Sequence, residues 1–240
     1  MIYIQSNIEK TRPHHFDASC AMWGAIESGF DYKLVSYEEV ESGKWDNLIK
    51  TNLFVGSVEF MRMVFSRVGL EDVRLPRNSN REFQIMELGE VRRRSKNGER
   101  WFIKPIEIKL FTGFILDEMV NTSIQNIPDS CKVMVYKPLD EILSEWRVYV
   151  GEDRIWDMKN YSGDLFKTPS EKYIKSIIKE NTDFPISYTI DVGILESGEE
   201  VVIEFNDMWA IGNYGIPNDE YLSLLKRRYF DIINRNQVSI

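Results

Sequence analysis

Within its first 70 residues the chain alternates short apolar runs with helical patterns, and this rhythm restricts the possible folds more than any other feature of the sequence. Ile2 to Ile4, Tyr32 to Val35 and Leu53-Phe54-Val55 read as strands. Ala18 to Glu27 reads as a helix that Asp17 can cap. Phe60, Met61, Val64 and Val68 recur at helical spacing between a capping Ser57 and a stop at Gly69. Strands alternating with helices favour a parallel sheet covered by its own crossovers. Residues 1–75 are therefore expected to form a small three-layer α/β domain of βαβ type.

The remaining residues, 76–240, follow a different pattern. Residues 75–100 are polar, and their basic run Arg92-Arg93-Arg94 with Lys96 and Arg100 reads as a solvated hairpin end turning at Asn97-Gly98. Strands are expected at Trp101 to Lys104, stopped by Pro105, at Val133 to Tyr136, and at Trp146 to Val150, which can pair with Arg154 to Met158. A helix over Glu171 to Lys179 capped by Ser170, and another from about Asp219 to Asn234 capped by Asn218, complete the mixed pattern. Of the 240 residues, 43% are hydrophobic, which excludes disorder, and no Pro/Gly/Ser-rich linker separates the parts, so any subdomains must pack closely.

The clearest hairpin joins Tyr188 to Leu195 with Val201 to Phe205 across Glu196-Ser197-Gly198-Glu199. Strand alternation puts Val202, Glu204 and Asn206 on one face, and Asp191 interrupts the partner strand in the same way. Two carboxylates and a carboxamide gathered on one side offer only hard oxygen donors, the set that suits Mg²⁺ completed by phosphate oxygens. The competing reading leaves these groups at strand ends in water.

Lys104, fixed on a strand, and Arg147, alternating with Trp146 and Val148, are candidate phosphate-binding cations or ordinary surface charges. Lys109 with Phe111-Thr112-Gly113 forms a short glycine-bearing loop that can fold over a phosphate. Neither a Walker A loop nor GxGxxG occurs.

A formal net charge of -8 argues against a nucleic-acid partner. Two distant cysteines, Cys20 and Cys131, point to a reducing, cytoplasmic setting, and no apolar run approaches the length of a membrane span. His14-His15 with Asp17 and Cys20 fits no common zinc spacing. Trp209 and Tyr214, with the glycines around Tyr214, follow the Glu204–Asn206 strand and either line a pocket beside it or simply cover the sheet.

In chain order, Phe102-Ile103-Lys104-Pro105, Glu145-Trp146-Arg147-Val148-Tyr149-Val150, Tyr188-Thr189-Ile190-Asp191-Val192-Gly193 and Ile203-Glu204-Phe205-Asn206-Asp207 together resemble the ATP-grasp superfamily. Within it, the chain is similar to the compact clade, frequent in bacteriophages and bacteria, named for two arginines and a lysine. The resemblance covers roughly residues 50–216 and leaves open a virus-encoded protein acting in a host cytoplasm. It implies an α/β (α+β) ATP-grasp fold in which residues 1–75 are the pre-ATP-grasp domain. Residues 76–240 would then be two nucleotide-binding and catalytic lobes with a hinge near residues 136–140.

The resemblance further implies ATP and two Mg²⁺ ions, held by Asp191, Glu204 and Asn206 with Glu204 bridging. It gives Lys104 to the α- or β-phosphate, Lys109 and Thr112-Gly113 to a phosphate-covering loop, and Tyr136, Lys137 and Leu139 to the adenine hinge. Arg147 would contact phosphate or acyl-phosphate with Glu145 nearby, and Lys159 would be a further catalytic cation. The second arginine is Arg81 or Arg154. The implied reaction joins carboxylate and amine substrates, small molecules or peptides, through an acyl-phosphate. A kinase, a nucleic-acid end-modifying enzyme and a nucleotide-binding module without turnover are the alternatives.

Overall fold

A computed structural model of the protein describes residues 1–71, 73, 75, 82–106, 110–117 and 124–235. The chain divides into two compact units. One comprises residues 1–78, 143–194 and 198–240, the other residues 79–142 and 195–197.

The first unit opens as the rhythm predicts. Strands β1 (Ile2–Gln5), β2 (Tyr32–Val35) and β3 (Leu53–Val55) form a parallel sheet in the order β2-β1-β3. Helices α1 (Phe16–Glu27), α2 (Tyr37–Glu41), α3 (Asp46–Ile49) and α4 (Val58–Ser66) connect and follow these strands. Ser57 caps α4 as expected, accepting from the Phe60 N–H. At α1 the cap is His15 rather than Asp17, with imidazole Nδ1 accepting from the Ala18 N–H at 3.3 Å. Asp17 lies inside the first turn, which frees its carboxylate to accept from the Asn213 N–H at 2.7 Å.

The same unit holds a four-stranded sheet, β11-β10-β8-β9, built from β8 (Ile142–Gly151), β9 (Arg154–Gly163), β10 (Ser187–Leu195) and β11 (Glu200–Asp207). Glu152 and Asp153, both at positive φ (53° and 57°), make the tight β8–β9 turn. Helix α6 (Glu171–Glu180), capped by Ser170 as expected, lays Ile174, Ile177 and Ile178 on one face of this sheet. Helix α7 (Asn218–Arg235) instead joins the core of the N-terminal sheet. It packs on α1 so closely that a Cβ on Gly24 would stand 2.2 Å from the Asn218 carbonyl oxygen, and its Tyr229 hydroxyl donates to the Ile49 carbonyl at 2.7 Å.

The second unit contains an antiparallel sheet, β4-β7-β5-β6, formed by β4 (Phe83–Glu87), β5 (Trp101–Pro105), β6 (Phe114–Leu116) and β7 (Lys132–Tyr136). The basic run is not a hairpin end. Leu88–Lys96 is helix α5, with Leu88 and Val91 buried, and Asn97-Gly98 closes it, Gly98 at φ +90°. Arg93, Arg94 and Lys96 occupy the last turn, where cations complement the helix dipole. Arg92 donates to the carbonyls of Ile124 and Ile127 and pairs with Asp129, so it is a structural tie.

Candidate functional site

The β8–β11 sheet has two chemically different faces. Val148, Tyr188, Ile190, Val192 and Val202 pack with α6 on one side, and Arg147, Asp191, Glu204 and Asn206 lie on the other. Strict alternation had grouped Val202 with Glu204 and Asn206. The register corrects this: Asp191 pairs with Glu204 but Val192 with Val202, leaving Ile203 as an extra residue in β11. The bulge resets the alternation, so Val202 enters the apolar core while Glu204 turns toward Asp191.

Arg147 and Asp191 form a buried bidentate pair. Nε donates to Oδ1 at 2.8 Å and Nη2 to Oδ2 at 2.7 Å, with both side chains almost wholly enclosed. Burial pushes the Asp191 carboxyl up to about 6; the bonds and charge of Arg147 oppose that rise, and Glu204 adds to it. For Arg147 burial works against the charge, yet Asp191 outweighs it and holds the guanidinium above its ordinary range. Asn206 stitches the acidic pair together, donating Nδ2–H to Asp191 Oδ2 at 3.2 Å and to Glu204 Oε1 at 3.3 Å.

Aromatic rings and one loop complete this face. The Arg147 guanidinium lies 4.4 Å from the Tyr214 ring centre, and Tyr161 stacks on Tyr214 at 5.0 Å. The Tyr161 hydroxyl donates to Glu145 at 2.8 Å. Loop 211–216 is held by the Tyr149 hydroxyl, which donates to the Gly212 carbonyl and accepts from the Tyr214 N–H, both at 3.0 Å, and by Asp17 at Asn213. Tyr214 therefore covers the charged face, whereas Trp209 is buried in the N-terminal core against Phe65.

Lys159 sits directly opposite Arg147 in the β8–β9 register and pairs with Asp157 at 2.8 Å. Arg154 is exposed and pairs with Glu152 at 2.8 Å, away from the Arg147 pair in register, and Arg81 lies outside the described residues. On the second unit, Lys104 of β5 is opposite Met134 of β7, with Nζ 5.7 Å from the Phe102 ring centre. Gly113 closes on its stem: an added Cβ would meet Lys104 Cγ at 2.8 Å. Thr112 is exposed in the same β5–β6 connection, and Lys109 lies outside the described residues. Tyr136 is buried against Phe83 and Phe102, followed by exposed Lys137 and half-buried Leu139.

Residues 79–224, more than half of the chain, match a family model described as an ATP-grasp domain, the second family of the clade named for two arginines and a lysine. The chain belongs to the ATP-grasp superfamily. Solved structures similar to this ATP-grasp chain include D-alanine–D-alanine ligase from Bacillus anthracis complexed with ATP, at 9% identity and TM-score 0.56, with 98% of each chain covered. An ATP-grasp RimK domain protein from Sphaerobacter thermophilus matches at 10% identity and TM-score 0.51, again over 98% of each chain. N5-carboxyaminoimidazole synthetase from Staphylococcus aureus matches at 8% identity and TM-score 0.52, over 95% of this chain and 77% of that one. These likenesses show an α/β ATP-grasp fold preceded by a βαβ-type subdomain. No protein of curated function matches the sequence.

The donor set of the ATP-grasp chain can be tested against the implied cation. Among the described residues no three His, Cys, Asp or Glu side chains converge, and the protein donors on this face are two carboxylates and an amide. Asp191 and Glu204 face each other in register, and the Asn206 amide N–H groups are spent on them, leaving its carbonyl oxygen as the donor available to a cation. Asp191 Oδ2 accepts from both Arg147 and Asn206, whereas Oδ1 accepts from Arg147 and retains a lone-pair site, so the ion pair and a metal contact through Oδ1 are compatible. The residues fit a hard divalent ion. Among the described residues no helix is long and apolar enough to cross a membrane.

Sequence reasoning passed over the contributions of Tyr149, Tyr161 and Asp17. Tyr161 falls beside an irregularity in the β8–β9 pairing, where Glu145 faces Ser162 and Trp146 faces Asn160. Simple alternation gives no hint of its bond to Glu145.

Proposed function

We propose that this ATP-grasp protein is an ATP- and Mg²⁺-dependent ligase that joins a carboxylate to an amine through an acyl-phosphate. The observation that carries the reading is the convergence of Arg147, Asp191, Glu204 and Asn206 on one sheet face backed by an apolar core. When bound, Mg²⁺ would neutralise phosphate charge; Asp191, Glu204 and Asn206 would hold two ions, with Glu204 shared.

Arg147 is fixed by its pair with Asp191 and by the Tyr214 ring, and its remaining N–H groups can bind a phosphoryl or acyl-phosphate oxygen. Glu145 and Lys159 flank it on the same strand pair and would orient the reacting groups. On the second unit, Lys104, Lys109, Thr112 and Gly113 are assigned to the phosphates and Tyr136, Lys137 and Leu139 to the adenine, within lobes spanning residues 76–240 after a pre-ATP-grasp domain at 1–75. Lys104, whose backbone is set by β5, would act as a point charge on a phosphate, its flexible stem letting the ammonium follow the ligand. The similar structure from Bacillus anthracis is named as a ligase of D-alanine to D-alanine and holds ATP, which supports small-molecule or peptide substrates for this chain. Cys20 and Cys131 are both free, in keeping with a cytoplasmic setting.

The full chain incubated with ATP, Mg²⁺ and pooled amino acids and peptides is expected to release ADP and phosphate in amounts matching the new amide. With ¹⁸O in the donor carboxylate, one labelled oxygen should appear in the phosphate, since the acyl-phosphate bond breaks at carbon. Release of AMP and pyrophosphate, or a phosphoryl group retained on the acceptor, would contradict the reading.

A further inference from the structure

Arg228 on α7 lies beyond residues 79–224, the part matched by the family, and touches none of the groups assigned above. It is nevertheless buried, and it makes three charge-assisted hydrogen bonds. Nε and Nη2 hold the two oxygens of Asp207 at 2.6 and 2.8 Å, and Nη1 holds Asp231 at 2.8 Å. Asp231 in turn accepts from Arg235 Nε at 2.6 Å, which fixes the acceptor on the same helix.

Asp207 is the last residue of β11 and directly follows Asn206, whose amide ties Asp191 to Glu204. At its other contacts α7 is locked into the N-terminal sheet by Tyr229 on the Ile49 carbonyl and by the close fit of Gly24 against Asn218. Within this unit α7, anchored at these contacts, thus grips the end of the strand that carries Glu204 and Asn206. A buried ion pair is seldom the most stabilising filling for a core, and an apolar pair of similar volume is often as good. A bidentate guanidinium–carboxylate pair does fix direction and distance, which apolar packing does not.

We propose that Arg228 is a positioning residue for the cation site: through Asp207 it sets where Asn206, and with it Glu204, present their oxygens. This rests on the reading of Asp191, Glu204 and Asn206 as cation ligands. Removing the grip leaves the ladder pairs of Asn206 with Thr189 and Asp207 with Tyr188 but takes away the tie that fixes the last residue of β11 from outside the sheet, so the ligand oxygens are held less precisely and affinity for the cation falls while the fold survives.

The test uses the full chain and Mn²⁺ with a non-hydrolysable ATP analogue, followed by electron paramagnetic resonance alongside thermal unfolding. Arg228→Lys should weaken Mn²⁺ binding several-fold, and Arg228→Met by about tenfold to a hundredfold, the range seen when groups that orient metal ligands are removed. Because Arg228→Met strands a buried carboxylate, the pair Arg228→Met with Asp207→Leu is measured too; it should unfold near the wild-type temperature and still bind Mn²⁺ weakly. Asp207→Asn, which leaves Arg228 paired with Asp231, should show a smaller loss in the same direction. Wild-type Mn²⁺ affinity in both the double variant and Asp207→Asn would overturn the proposal and leave the cation site standing. A wild-type protein that binds no Mn²⁺, like Glu204→Gln, would overturn the cation site itself and the proposal with it.

Discussion

Glu204→Gln is expected to lower ATP-dependent product formation by about a hundredfold or more, the scale on which removing one placed electrostatic group acts in an active site. Glutamine keeps the volume and one oxygen of Glu204 but removes the charge that would bridge the cations. The loss should not come from unfolding. Glu204 raises the Asp191 carboxyl, which means that the two charges repel, and a neutral residue relieves that repulsion. The unfolding temperature of the variant should therefore equal or exceed that of the wild type when both are measured without metal. Equal turnover in the two proteins would remove Glu204 from the mechanism.

Arg147→Met is expected to cost about 3–5 kcal/mol of folding stability, because it leaves the nearly enclosed Asp191 carboxylate without its cation. The same substitution withdraws the guanidinium from Tyr214 and Gly212, so loop 211–216 loses one of its ties. Urea unfolding of Arg147→Met, Asp191→Leu and their combination forms a double-mutant cycle. The combination should recover much of the loss, since no unpaired charge remains. A single-variant loss below about 1 kcal/mol, as for an exposed pair, would mean that the Arg147–Asp191 bridge is screened by water.

Much of the fold was legible because local rules govern it. The strand–helix rhythm of the first 70 residues, the caps at Ser57 and Ser170, and the hairpin around Gly198 depend on neighbours a few residues away, and each has its predicted place. Where a local signal fits two structures, the reading erred. Asn97-Gly98 ends a helix as readily as it turns a hairpin, and the burial of Leu88 and Val91 in the core of the β4-β7-β5-β6 sheet decides between them. At α1 the sequence offered Asp17 as the cap, but the helix begins two residues before Ala18 and His15 caps it, while Asp17 accepts from Asn213, 196 residues away.

The candidate site shows the same division. Its residue types were apparent because a carboxylate or guanidinium inside an apolar strand is conspicuous. Its geometry was not, since the bulge at Ile203 decides which side Val202 takes, and the unbroken apolar run Val201-Val202-Ile203 gives no sign of where the alternation resets. The Arg147–Asp191 bridge joins β8 to β10, and the Tyr149, Tyr161 and Arg228 contacts likewise cross between elements. Such ties depend on tertiary placement that no residue spacing encodes.

The central claim is that Asp191, Glu204 and Asn206 form a cation site serving ATP. Crystals of the full chain grown with Mn²⁺ and a non-hydrolysable ATP analogue test it most directly through anomalous scattering. A metal peak is expected about 2 Å from oxygens of Glu204 and Asn206, with Asp191 completing the set and phosphate oxygens on the far side. A metal–phosphate peak elsewhere on the chain, with these three side chains untouched, would contradict it.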